Sequence, residues 1–119
     1  MVKIYTSLGL MSGTSLDGVD VSIIESDGNK EYSTILDKYF AYNDELTQKI
    51  LKIREKVTSL KDLNSLSKDL NELEREITLF NANVVNETTK LLKSEVDIIG
   101  FHGQTIFHDS KEKISKQLG

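Results

Sequence analysis

Gly9-Leu10-Met11-Ser12-Gly13-Thr14-Ser15-Leu16-Asp17-Gly18-Val19-Asp20 is the stretch on which the reading of this 119-residue chain turns. Three glycines and several hydroxyl and carboxylate side chains fall within twelve residues, between two apolar runs. Glycine lets a backbone turn sharply and come close to a ligand. Successive N–H groups in such a turn form a concave anion site, to which Thr14 and Ser15 add hydroxyls. A loop that cradles phosphate is one reading. A plain hairpin connection is the other, because Gly, Ser and Asp are common turn formers.

The flanks decide what kind of loop it is. Residues 3–11 carry Ile4, Tyr5, Thr6, Leu8 and Leu10 and read as a strand. Residues 18–26 place Val19, Val21 and Ile23 on one side and Ile24 on the other, a second strand. Asp27-Gly28-Asn29-Lys30 is a hairpin turn signal, and residues 31–41 form a third strand. Gly13 and Gly18 have the G-x-x-x-x-G spacing of a Walker A loop, but Val19 and Asp20 stand where that motif needs Lys and Ser or Thr. A strand also follows where a helix should begin. Walker A is excluded, G-x-G-x-x-G is absent, and the stretch is the first connection of an antiparallel meander.

At Asn43 the period changes. Asn43 can cap a helix with Asp44 and Glu45 in its first turn, and Leu46, Ile50, Ile53 and Val57 make one apolar face. Ser59 with Asp62 reads as a capping box opening a second helix. Leu63, Leu66, Leu70, Leu73, Ile77, Phe80 and Val84 then keep a three–four alternation, which extends this helix unbroken to about Lys93. That seam serves either a helix laid on a sheet or a coiled-coil dimer. It ends in a strand, Val96 to Phe101, which favours packing. After a crossover, this strand adds parallel to the first.

His102-Gly103-Gln104-Thr105 follows at the carboxyl end of that strand, where open α/β sheets bind ligands. The stretch reads either as polar ligand recognition or as a hydrogen-bonded loop. His102 and His108 have no compact metal-ligand spacing. Ile106 and Phe107 begin another strand, with His108 and Asp109 turning away. Ser110 to Gly119 are polar, with three lysines and only Ile114 and Leu118 apolar, and give neither a capped helix nor a full strand. Glu72, Glu74 and Glu76 sit on a solvated helix face and receive no catalytic role.

Composition bounds the partners. The net charge of −4 and the scattered lysines exclude a nucleic-acid or anionic-membrane surface. Hydrophobic content of 38 % allows a modest core, and the absence of cysteine removes thiolate chemistry. The first residues, Met1 to Ser7, lack the apolar run of a signal peptide, so a soluble cytoplasmic protein is expected.

Residues 9–20 and the run Gly100-Phe101-His102-Gly103-Gln104-Thr105-Ile106-Phe107-His108 together resemble the two N-terminal signatures of anhydro-N-acetylmuramic acid kinases. The likeness spans nearly the whole chain. It implies an α/β fold: a three-stranded antiparallel meander plus a parallel strand with crossover helices, part of a ribonuclease-H-like (actin-like ATPase) lobe. Enzymes of that kind open the 1,6-anhydro ring with water while phosphorylating O6, giving N-acetylmuramic acid 6-phosphate for cell-wall recycling. The resemblance implies ATP and Mg²⁺ as cofactors, with Gly13, Thr14, Ser15, Leu16, Asp17, Gly18, Val19 and Asp20 as the ATP-binding loop. It implies His102, Gln104 and Thr105 at the substrate, 1,6-anhydro-N-acetylmuramic acid. Related sugar kinases carry an acidic residue two positions before the loop glycine. Met11 stands there, so Mg²⁺ must be held by other groups. The family also continues into a segment with the catalytic aspartate and a second lobe. Residues 1–119 are accordingly expected to be an incomplete N-terminal lobe, inactive alone, with a complementing C-terminal fragment or a second copy as candidate partners. The rival reading is a non-catalytic helical module that dimerises through the Leu63–Val84 seam.

Overall fold

A computed structural model describes residues 3–119; Met1 and Val2, the start of the run read for a leader, lie outside the described residues. Strands β1 (Tyr5–Met11), β2 (Gly18–Ser26) and β3 (Tyr32–Ala41) form the meander. Helices α1 (Asp44–Lys56), α2 (Leu60–Ser65) and α3 (Ser67–Thr89) cross back to β4 (Ile98–Phe101), and a hairpin of β5 (Gln104–Asp109) and β6 (Ile114–Leu118) follows. The main sheet has the order β3-β2-β1-β4, with β4 parallel to β1, as the crossover requires. Asp97 extends that pairing by one residue, its N–H donating to the Thr6 carbonyl while its carboxylate accepts the Thr6 N–H, both at 2.8 Å.

The alternation in β1 and β2 puts Leu8, Leu10, Val19, Val21 and Ile23 on one face, all buried. Against that layer lie Leu46, Ile50, Ile53 and Val57 from α1 and its cap, and Leu70, Leu73, Ile77 and Val84 from α3. Each fully buried aliphatic side chain contributes roughly 1.5–3 kcal/mol. The leucine seam is thus occupied by the chain's own core, as the packing reading expects. Lys49 bridges α1 to α3 by pairing with Glu76 at 2.8 Å, an exposed contact that contributes little.

Three expectations need correcting. The helix expected from Ser59 to about Lys93 is broken at Leu66, whose φ of −102° and ψ of 16° interrupt α2 and α3. The alternation of leucines records which side faces the core and carries no signal for a one-residue kink. Ser59 and Asp62 do form the expected capping box. At the C-terminal end, β5 runs on through His108 and Asp109, and the polar tail supplies a full strand, β6. Asp109 turns the chain by accepting the Lys111 and Glu112 N–H groups, and Lys113 takes a positive φ of 54°. Pairing with β5, together with complete burial of Leu118, forms this strand despite its polar composition.

The opposite face of the main sheet has no layer packed on it among the described residues. The radius of gyration is 16.5 Å, against about 13.5 Å for a compact chain of this length.

The Asp27 turn carries a pH prediction. Its Oδ1 accepts the N–H groups of Asn29, Lys30 and Glu31 at 2.8, 3.0 and 3.1 Å. These bonds, that to Asn29 foremost, hold the carboxyl below its ordinary value of 3.8. A depressed folded-state value stabilises the turn above pH 3.8, and that contribution is lost as pH falls through the lower value. NMR shifts of these three amides should therefore titrate together below pH 3.8, and Asp27→Asn should abolish the titration.

Candidate functional site

The β1–β2 connection, Ser12 to Asp17, stands at the carboxyl end of β1, beside the end of β4. Leu16 organises it. This residue has a positive φ of 59°, which costs a leucine about 1–2 kcal/mol, and its side chain is buried at 1 % exposure, which offsets that cost. With Leu16 anchored in the core, Gly13, Thr14 and Ser15 are raised into solvent. The Leu16 N–H donates to the Gly13 carbonyl at 3.3 Å and closes the turn.

The three glycines of the stretch have different physical reasons. A Cβ on Gly18 would lie 2.4 Å from the Phe40 carbonyl oxygen and 2.6 Å from the Tyr39 hydroxyl, so Gly18 is required by the packing of β2 on β3. A Cβ on Gly13 would meet only Ser15 Oγ, at 3.9 Å, and on Gly9 it would meet nothing within 4 Å. Gly9 pairs with Gly100 across β1 and β4. These two bare positions lie in a trough of about 910 Å³ on the open sheet face, rimmed by Met11, Asp20, Tyr39, Phe101 and His102.

Of the eight loop residues expected from sequence, Gly13, Thr14, Ser15, Asp17 and Asp20 are exposed, whereas Leu16, Gly18 and Val19 are buried. Ser15 Oγ donates to Asp17 Oδ1 at 2.8 Å. That bond, helped by the Tyr39 hydroxyl, holds the Asp17 carboxyl below the usual carboxylate range. The Thr14 carbonyl accepts from Arg54 Nη1 at 3.3 Å, and the Asp17 carbonyl accepts the Tyr42 N–H at 2.9 Å.

The second polar stretch divides as well. His102 is exposed; its Nδ1 lies 2.8 Å from the Gly103 carbonyl oxygen and its Nε2 3.2 Å from Gln117 Nε2, which fits a proton on Nδ1. Thr105 is half-buried beside Thr14, Arg54 and His108, along a cavity of about 310 Å³. Gln104 is wholly buried, and its Nε2 donates to the Gly13 carbonyl at 3.0 Å. Its Oε1 lies 3.0 Å from the hydroxyl of Tyr42, which is 3.2 Å from Ser12 Oγ. The two stretches singled out in the sequence therefore meet through a direct hydrogen bond, 91 residues apart. Tyr42 joins them and has no signal in its local sequence: it is one tyrosine between a strand and a helix cap, and its polar partners lie 30 and 62 residues away.

A family profile described as anhydro-N-acetylmuramic acid kinase matches residues 5–119. The chain belongs to the anhydro-N-acetylmuramic acid kinase family. It is 58 % identical over 119 residues to the protein of that name from Pelagibacter ubique (strain HTCC1062), covering all of this chain and 32 % of the relative. It is 36 % identical over 117 residues to the one from Rhodopseudomonas palustris (strain BisB18), covering 96 % of this chain and 32 % of the relative. To the one from Rhizobium etli it is 36 % identical over 122 residues, all of this chain and 33 % of that protein. The chain thus spans about a third of the length of the curated relatives it matches. The family is named for a kinase. No helix among the described residues is long and apolar enough to cross a membrane.

The residues present fit the cofactors such a kinase uses. Gly13 leaves open space where a phosphate can approach backbone, and the Thr14 and Ser15 hydroxyls are exposed beside it. Mg²⁺ on a nucleotide is commonly held by one or two carboxylates together with phosphate oxygens and water. Asp17 and Asp20 supply carboxylates at this end of the sheet, and Asp17 is kept ionised by its neighbours.

Proposed function

We propose that residues 1–119 form the N-terminal part of an ATP-dependent anhydro-N-acetylmuramic acid kinase, an incomplete lobe whose loop Gly13–Asp20 receives the ATP phosphates. The observation that carries this reading is the meeting of the two signature stretches. An exposed, open-sided Gly-Thr-Ser turn is held at its Gly13 carbonyl by the buried Gln104 of the His-Gly-Gln-Thr stretch. In this reading Gly13, Thr14 and Ser15 contact phosphate, and Asp17 and Asp20 hold the cation that neutralises it. His102 and Thr105 face the anhydro sugar with Gln104 behind them. Bound MgATP supplies the phosphoryl group and the charge compensation.

Phosphoryl transfer is catalysed mainly by positioning and charge stabilisation, which requires groups on both sides of the transferred phosphoryl. This chain contributes one side. A polypeptide matching the rest of the relatives' length is the partner this reading calls for. A second copy joined through the Leu63–Val84 seam is disfavoured, because Leu70, Leu73, Ile77 and Val84 are already buried within the chain.

Purified chain mixed with MgATP should show nucleotide-dependent NMR shift changes confined to residues 13–20 and 102–105. It should also give no phosphorylated product from 1,6-anhydro-N-acetylmuramic acid. Shift changes elsewhere, or none at millimolar nucleotide, would overturn the loop assignment. Product formation by the chain alone would overturn its description as an incomplete enzyme.

A further inference from the structure

We infer that Tyr42 and Gln104 are positioning residues which, with Ser12, form a closed hydrogen-bonded ring that fixes the conformation of the Ser12–Asp17 loop. The directions of its bonds are dictated by chemistry. A carbonyl oxygen cannot donate, so the Gly13 oxygen must receive its proton from the Gln104 amide nitrogen, 3.0 Å away. That orients the amide and turns Gln104 Oε1 toward Tyr42, whose single hydroxyl proton must then go to Oε1, at 3.0 Å. The Tyr42 oxygen is left as an acceptor, and Ser12 Oγ, at 3.2 Å, is the donor that fills it. Ser12 precedes Gly13, so the chain of bonds returns to the loop it began from.

Burial makes the ring consequential. Gln104 is 0 % exposed, and Ser12 and Tyr42 are 5 % exposed each, so no member can exchange its partner for bulk water. The Tyr42 ring is held independently by an edge-on contact with Phe80, centroids 4.9 Å apart at 67°. Its backbone N–H also takes the Asp17 carbonyl at 2.9 Å. Tyr42 therefore grips both ends of the loop, Asp17 through its main chain and Ser12 through its hydroxyl, with Gly13 reached by way of Gln104. Both ends of the Gln104 side-chain amide are engaged inside the protein, Nε2 at Gly13 and Oε1 at Tyr42.

The loop conformation is the ring's direct effect. Its effect on nucleotide rests on the phosphate reading above. Two variants of the full 119-residue chain separate these. Tyr42→Phe keeps the ring on Phe80 and removes only the hydroxyl. Gln104→Glu replaces the amide donor with a group that donates to Gly13 only when protonated. Burial raises such a carboxyl above the usual carboxylate range, while Asp17, the charge that reaches Tyr42, stays ionised through that range.

Without nucleotide, the amide order parameters of Gly13, Thr14 and Ser15 should fall from about 0.85 to below about 0.6 in Tyr42→Phe, with those of β2 unchanged. In Gln104→Glu they should be low above the raised value of the carboxyl and recover as pH falls through it. Retained loop order in Tyr42→Phe, or order in Gln104→Glu that does not respond to pH, would overturn the ring even if thermal stability fell. If Gln104→Glu fails to fold, Tyr42→Phe decides alone. MgATP affinity should weaken about tenfold in Tyr42→Phe, the scale of one buried hydrogen bond. Loop disorder in a protein whose parent binds no nucleotide would support the ring and count against the phosphate reading.

Discussion

Ile77→Ala is expected to lower the stability of the chain by about 2–5 kcal/mol, the range for truncating a fully buried aliphatic side chain. Ile77 is 0 % exposed, on the face of α3 that packs with Leu70, Leu73 and Val84 into the hydrophobic core. Domains of ordinary size are stable by only about 5–15 kcal/mol, and this sheet is layered on one face, so the loss should leave a substantial unfolded fraction. The denaturant midpoint should fall while its slope stays the same. It should also be independent of protein concentration for parent and variant, because the seam is filled from within the chain. A midpoint that rises with concentration would revive the coiled-coil reading. A loss below about 1 kcal/mol would mean that Ile77 is not in the core as described.

Gly103→Ala should have an effect of similar size for a different reason. Gly103 has φ +82°, and an added Cβ would lie 2.6 Å from the Leu118 carbonyl oxygen. Gly28 is the natural control, with φ +77° and nothing within 4 Å of its Cβ position. The left-handed backbone costs an alanine about 1–2 kcal/mol at either site. Only at Gly103 does a close backbone contact add the cost of overpacking, about 1–3 kcal/mol more. That contact cannot be relieved by turning a side chain. β6 must move away from the start of β5, and Gln104, the next residue, moves with it. Gly103→Ala should therefore lose both stability and the order of the Ser12–Asp17 loop, whereas Gly28→Ala should lose a little stability and leave the loop intact. Denaturant titration of both variants, with amide spectra of residues 13–15, makes the comparison. Equal effects at the two sites would remove the β5–β6 contact from the explanation.

The parts of the fold that could be read from sequence are those in which neighbouring residues carry the cause. Val19, Val21 and Ile23 alternate because one side of β2 is buried, and Asp27-Gly28 turns the chain with its own carboxylate. Asn43 caps α1 through a side-chain bond to the Leu46 N–H, three residues on. Features set by distant partners left no such pattern. β6 has two apolar residues in five and depends on β5 and on the core that buries Leu118. The site shows the same division. Exposure of Thr14 and Ser15 follows from a polar turn, but the burial of Leu16 and the packing of Gly18 on Phe40 depend on other strands and on helices. The family resemblance implies Gln104 at the substrate, while its type and place alone leave ligand recognition and a hydrogen-bonded loop both open. Its burial and its bond to Gly13 are tertiary facts, as is the part played by Tyr42.

The bond between Gln104 and Gly13 also orders events in time. Ser12 to Asp17 leave the ribosome well before Gln104, already flanked by strands that can pair locally. The amide that fixes their conformation comes 91 residues later, about 5–20 s at ordinary rates of synthesis. Until then β1 has no parallel neighbour, because β4 precedes Gln104 by only a few residues. The loop is therefore made long before the group that fixes it, and stays unfinished until that group emerges.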